Sequence, residues 1–291
     1  MFFLKKNDSK NEESELKNNL PDNFLHLKQS LTFLKGSFGE RNRKIVGTGG
    51  ALGVRYSYGL FAIEYYTCDK EPSLEAFKGF RFVIWDRILN KDKPREWRQM
   101  IPGFGLSTSV IVDVSKEEYW KDWTKTFRQY RAKWETQTEY EILKISRDEF
   151  AVYYEKFGRP RDTINTCISI LDKHLNEESE RVNLFILKNK LNDDVVGGIG
   201  TVDASEVNQS YYLIAFSDKE KAPPATGLWL LNNWFLYCKN SNIRFANLGV
   251  IWTPGQNKKW KGFSEFKMYF RPIKVTYQRP LFRLSFSTKK S

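Results

Sequence analysis

Tyr211-Tyr212-Leu213-Ile214-Ala215-Phe216-Ser217 runs through a polar, proline-bearing link, Asp218–Pro224, into an apolar-rich stretch from Ala225 to Asn240. The seven aromatic and aliphatic residues read as a strand. The stretch after the link is too long for one strand and reads as a helix. Two further strands precede the first, Val182–Lys188 and Val195–Asp203, with the polar turn Asn189–Asp194 between them. Together with Gln209–Ser217 they predict an antiparallel meander. After the helix come a strand at Ile243–Gly249, a short helix near Gly262–Met268 and a strand at Ile273–Gln278. A sheet interleaved with helices in this order predicts an α/β (α+β) fold.

The pattern extends toward the N-terminus. Ser107–Val114 reads as a strand. Ser115, with Glu118 three residues on, has the form of a capping box and predicts a helix to about Trp134. Trp120, Trp123, Phe127, Tyr130 and Trp134 fall on it at helical spacing, interleaved with Lys121, Lys125, Arg128 and Arg131. Tyr140–Ile145 predicts a strand. Arg147–Phe157 and Thr163–Leu175 predict helices joined by a loop carrying Gly158, Arg159, Pro160 and Arg161. Further back, Arg43–Val46, Arg55–Cys68 and Phe80–Trp85 read as strands, Gly47–Gly53 as a glycine-rich turn, and residues 90–106 as a loop. Phe24–Leu34 predicts a short helix, and residues 1–22 a disordered polar tail.

Composition narrows the chemistry. Among 291 residues, Lys and Arg number 47 against 35 Asp and Glu, a formal net charge of +12. Such a field attracts polyanions: tRNA, a nucleotide-linked substrate, coenzyme A or anionic headgroups. Cys68, Cys167 and Cys238 are widely spaced, which argues against a zinc site or disulfide framework and for a reducing, cytoplasmic setting. No apolar stretch approaches the ~20 residues of a membrane-spanning helix. There is no P-loop, and Gly197-Gly198-Ile199-Gly200 opens no helix, so it is no dinucleotide-binding turn. His26 and His174, the two histidines, are expected at the surface. Histidine-based triads and metal hydrolysis are poorly served by so few ligands. No cofactor or metal is called for.

The meander-helix-strand order resembles the GNAT fold, in which a splayed strand pair and a helix N-terminus receive an acyl donor. Ala222-Pro223-Pro224-Ala225-Thr226-Gly227 departs from the Q/R-x-x-G-x-G/A loop of coenzyme A-dependent members. More closely, the chain resembles the FemAB-type family. Val110-Ile111-Val112-Asp113-Val114-Ser115 is similar to the family's strand ending in D-L-S. Phe127-Arg128-Gln129-Tyr130-Arg131-Ala132-Lys133 resembles the arginine-bearing end of the following helix. Tyr211-Tyr212, Gly227-Leu228-Trp229-Leu230-Leu231, Asn247-Leu248-Gly249 (in place of D-x-G) and Phe266-Lys267 (F-K) follow in order. Tyr269-Phe270-Arg271 departs from the family's aromatic-glycine pair. The resemblance covers residues ~107–280.

What the resemblance implies is two tandem GNAT-like units, each a mixed sheet flanked by helices. Residues 23–113 would form a reduced N-terminal unit, and residues 114–291 a C-terminal acyltransferase domain. The implied activity is N-acyl transfer, from aminoacyl-tRNA rather than acyl-CoA, to an amine acceptor such as a nucleotide- or lipid-linked peptidoglycan precursor. The alternative is a non-catalytic basic module that binds nucleic acid or nucleotide.

By the same resemblance Lys267 is the catalytic candidate, as a cation for an oxyanion or phosphate. Phe266 stands beside it. Arg159 and Arg161 suit bidentate phosphate contact in their loop. Arg128 and Arg131 line one helix edge. Tyr211 and Tyr212 alternate faces of a strand, and Tyr212 is the one expected in the cleft. Trp252, Lys258, Lys259 and Trp260 suit a tRNA end or a base. Glu265 is a candidate general base.

Overall fold

The computed structural model describes residues 43–48, 51–68, 70–74, 77–87, 93–100, 108–157, 161–253 and 261–287. The tail at 1–22, the helix at 24–34 and His26 lie outside them. The described residues form two mixed sheets with five helices, as the fold class expected from the sequence requires.

The first sheet holds β1 (Arg43–Thr48), β2 (Ala51–Tyr58), β3 (Phe61–Thr67), β4 (Gly79–Asp86), the two-residue β5 (Arg98–Gln99) and the last described strand, β13 (Leu281–Ser287). Their order is β1-β2-β3-β4-β13-β5. The expected single strand Arg55–Cys68 is two strands of a hairpin. Gly59, at φ +64°, makes the turn where other residues would be strained. The expected turn Gly47–Gly53 is also narrower, because β1 runs to Thr48 and β2 begins at Ala51. One face of this sheet buries Tyr66, Val83, Trp85, Trp97 and Leu281. Glu64 is fully buried there and accepts from Arg55 Nε at 2.7 Å, with Arg81 at 3.7 Å. A carboxylate between two guanidiniums fixes strand register, because a one-residue slip would bury it unpaired.

The second sheet holds β6 (Thr108–Asp113), β7 (Tyr140–Lys144), β8 (Val182–Asn189), β9 (Val195–Ala204), β10 (Gln209–Ser217), β11 (Phe245–Ile251) and β12 (Ile273–Thr276). Their order is β12-β6-β11-β10-β9-β8-β7. The described residues hold five α-helices: α1 (Lys125–Thr136), α2 (Arg147–Lys156), α3 (Arg161–Glu178), α4 (Thr226–Asn240) and α5 (Lys261–Met268). β8 shows why its sequence is apolar without alternation. Phe185 and Leu187 pack with α4 residues such as Trp229 and Trp234. Leu184 and Ile186 pack with Phe150, Tyr154 and Leu171 of α2 and α3. A strand covered on both faces has no polar side.

Two boundaries differ from expectation. The helix expected from Ser115 begins at Lys125. The Ser115 N–H and hydroxyl both donate to the Asp113 carboxylate, so the capping geometry is not formed. Residues 118–123 instead turn with bonds three residues apart, which buries Tyr119 and Trp123. The sheets also do not part at residue 113. β6 lies inside the second sheet, where Val110, Ile111 and Val112 are buried between β11 and β12. β13, which no expectation covered, lies in the first sheet between β4 and β5.

Candidate functional site

The sheet opens between β10 and β11. These parallel strands pair over three positions only, Gln209 with Phe245, Ser210 with Ala246, and Tyr211 with Asn247. Beyond that each keeps its outer neighbour: β10 stays on β9 to Ser217, and β11 stays on β6 to Ile251. Two irregularities part them. β10 slips register between Tyr212 and Ile214, and β11 between Asn247 and Gly249.

Asn247 holds the second irregularity. Its Oδ1 accepts from the Gly249 N–H at 2.9 Å, and its Nδ2 donates to Gln209 Oε1 at 3.0 Å. Gly249 has φ +75°, and a Cβ there would stand 3.1 Å from the Tyr211 hydroxyl oxygen. Glycine is therefore required both by conformation and by space.

The Val250 carbonyl, on the strand just past this kink, accepts from Lys267 Nζ at 2.8 Å. Lys267 sits on α5 and is only 3% exposed. Its ammonium lies 3.9 Å from the Phe263 ring centroid and 5.8 Å from that of Tyr212. Among the described residues no carboxylate lies within ion-pair distance of it. Burial alone pushes its pKa down to about 7, so near neutrality it is shared between cation and free amine. A buried lysine in a cleft with no counter-charge marks a candidate functional site.

A cavity of about 220 Å³ adjoins it, lined by Gly198, Ile199, Tyr212, Ala215, Phe216, Ser217, Gly227, Leu230, Leu231, Phe263 and Phe266. Its walls are β9, the parted end of β10, the first turns of α4, and α5. Gly227 lets α5 approach, since a Cβ there would stand 3.2 Å from the Phe266 ring. Phe266 is held from behind by Phe127 of α1 and by Phe270, at centroid distances of 5.6 and 5.7 Å.

The structure gathers some of the sequence-predicted residues and scatters others. Tyr212 and Phe266 line the cavity, and Lys267 adjoins it. Tyr211 packs on the opposite side, against Ala204 and Val207. Trp252 reaches α5 through its backbone N–H, which donates to Ser264 Oγ at 2.6 Å. Arg128 is exposed on α1. Arg131 lies over the Trp120 ring at 4.3 Å and pairs with Glu135 at 2.9 Å. Arg161 is exposed at the first position of α3. Arg159, Lys258, Lys259 and Trp260 lie outside the described residues. Glu265 is exposed and faces Lys261 at 3.8 Å. His174, expected at the surface, is instead 3% exposed. It shares the inner side of α3 with Ile164 and Leu171, and burial pushes its pKa down to about 4.

The sequence did not point to Phe263, Ala215, Ser217 or the Val250 carbonyl. Phe263 carried a signal, since 263, 266, 267 and 270 share one helical face. The others depend on where β10 and β11 part.

No protein-family model matches the chain, and no curated protein does. Solved structures do. FemX superposes with a TM-score of 0.66 at 11% identity, over 94% of this chain and 96% of that one. A conserved protein of unknown function from Bacteroides thetaiotaomicron gives 0.54 at 10% identity, over 88% and 90%. L-PGS from Bacillus licheniformis gives 0.50 at 15% identity, over 86% and 85%. At these identities the likeness is one of fold: the chain has the two-sheet, GNAT-like architecture of FemX.

Proposed function

We infer that this protein is an N-acyltransferase that moves an activated acyl or aminoacyl group onto an amine. The observation that carries this is the buried Lys267, held at the parting of β10 and β11 beside an apolar cavity. The donor is aminoacyl-tRNA in preference to acyl-CoA. The net charge of +12 suits a polyanion, and Ala222–Gly227 lacks the coenzyme A loop. The acceptor is the amine of a cell-wall precursor, nucleotide- or lipid-linked, and the reaction is cytoplasmic. Among the described residues no helix is long and apolar enough to cross a membrane.

The chemistry follows from position. A neutral acceptor amine attacks the ester carbonyl carbon and forms a C–N bond. The carbonyl oxygen takes the negative charge, and Lys267, with protons beyond the one given to Val250, stabilises it. Collapse breaks the C–O bond, and the proton shed by the amine passes to the departing ribose oxygen. Alignment of the two substrates supplies much of the remaining rate. Tyr212 and Phe266 hold the acyl group, Arg128, Arg131, Arg159, Arg161 and Lys258 serve the anionic parts of the substrates, and Trp252 serves a tRNA end or a base. A basic module without turnover is the second reading, favoured by the charge alone.

Mass spectrometry of cell-wall precursors from cells making the native protein or Lys267→Ala tests the assignment. Native protein should add the mass of one acyl or aminoacyl group to a precursor, and the variant should not. Identical precursor profiles would count against a cell-wall acceptor.

A further inference from the structure

We propose that the cavity beside Lys267 is an acyl-side-chain subsite that admits one uncharged, apolar group the size of a branched aliphatic chain or a single ring. This rests on the acyl-transfer reading for its chemistry, but the pocket itself stands on its walls.

Size comes first. Sites for whole small molecules run from about 300 to 1,000 Å³. At about 220 Å³ this cavity is too small for a complete donor and large enough for part of one. An apolar protein cavity of about 150 Å³ holds benzene. The chain's own packing sets the limit at two places. At Gly198 a Cβ would stand 2.5 Å from the Phe216 ring, and at Gly227 the Phe266 ring stands 3.2 Å away. Neither wall can be thickened without displacing an aromatic side chain.

Charge comes second. Ile199, Ala215, Leu230, Leu231, Phe263 and Phe266 present hydrocarbon, and the side-chain oxygens in the lining are the hydroxyls of Tyr212 and Ser217. Among the described residues no carboxylate lines it. Lys267, next to it, is buried, and among the described residues no carboxylate lies within ion-pair distance of it. A cationic acyl side chain would be buried beside this second amine with no counter-charge, an arrangement that proteins avoid. A carboxylate would have to shed its water to reach an ammonium enclosed by Phe263 and Tyr212. An uncharged apolar group meets neither penalty and gains burial.

The test measures binding without turnover, by saturation-transfer NMR on the full chain. Isovaleramide and phenylacetamide are the uncharged probes, 6-aminohexanamide the cationic one and glutaramate the anionic one. Native protein should bind the two uncharged amides at least ~10-fold tighter than the charged ones, the scale on which apolar pockets discriminate. Ala215→Leu, which fills the cavity, should abolish their binding while leaving the circular dichroism spectrum unchanged. Ser217→Asp stands at an exposed strand end and threatens folding little. It should gain 6-aminohexanamide binding by at least ~10-fold. Equal or preferred binding of a charged amide by native protein would overturn the proposal. So would binding of none of the four, or uncharged-amide binding that survives Ala215→Leu in a folded variant. Amide binding without any transfer activity would sink the acyl-transfer reading and leave the subsite standing.

Discussion

Lys267 stands where a lysine costs the fold free energy. With its pKa down to about 7, the folded state binds fewer protons than the unfolded chain from pH 7 up to about 10.5. The sign follows. Below pH 7 the full penalty of burying the cation applies, and stability rises as pH climbs from 7 toward 10.5. Lys267→Met removes this penalty and leaves the Val250 carbonyl without its donor, a smaller loss. We expect the variant to be more stable than native by about 2 kcal/mol at pH 6, with the gain shrinking toward pH 10. Urea melts at several pH values measure this. A variant less stable at pH 6 would mean that the amine is not buried as a cost. The F-K pair was legible as a motif, and the placement of 267 in the apolar face of α5 was legible in the spacing of Phe263, Phe266 and Phe270. The depth of burial was not, because it comes from Tyr212 of β10 and the Val250 carbonyl of β11, which meet α5 only in the fold.

The parting of β10 from β11 is a property of two strands and one side chain. Strand identity was readable from the aromatic and aliphatic runs. The bulges were not, since a bulge is a mismatch between partners and neither strand shows it alone. Asn247 with Gly249 was the available hint, an amide two residues before a glycine. Asn247→Ala removes the acceptor of the Gly249 N–H and one donor to Gln209 Oε1 at a site 1% exposed. The expected loss is about 2–3 kcal/mol, together with a rise of the Lys267 pKa as water enters. Denaturant melts give the first, and NMR titration of lysine ammonium groups gives the second. Helix α3 offers a separate check. Its buried His174 titrates at about 4 when folded and about 6.5 when unfolded. Stability is therefore lost as pH falls from 6.5 toward 4, by about 3 kcal/mol in all, and His174→Leu should flatten that slope. His174 was expected at the surface because its charged neighbours, Asp172 and Lys173, were weighed. Its spacing of three from Leu171 and ten from Ile164, which puts it on the buried face, was the better guide.

Across the whole molecule the chain returns to its beginning. β13 pairs with β4 from Leu281–Trp85 to Ser287–Gly79, and Ser285 accepts from Arg81 within the buried Glu64 network. The alternation Phe282-Arg283-Leu284-Ser285-Phe286 was present in the sequence. Its partner lay some 200 positions away, and nothing local names it. Removing residues 279–291 should strip protection from the β4 amides in hydrogen exchange while β8, β9 and β10 keep theirs. Loss of protection in both sheets alike would show that they unfold as one unit.

We propose that the site between β10 and α5 performs acyl transfer through Lys267. The most direct measurement incubates purified protein with total tRNA charged with radiolabelled amino acids and a nucleotide-linked precursor that bears a free amine. Label should move into the precursor with the native chain. With Lys267→Ala the rate should fall at least ~100-fold, while the variant still binds tRNA. Label transferred equally well by Lys267→Ala would contradict the assignment of the site. No transfer by native protein from any aminoacyl-tRNA or acyl-CoA, with tRNA binding intact, would leave a binding module in its place.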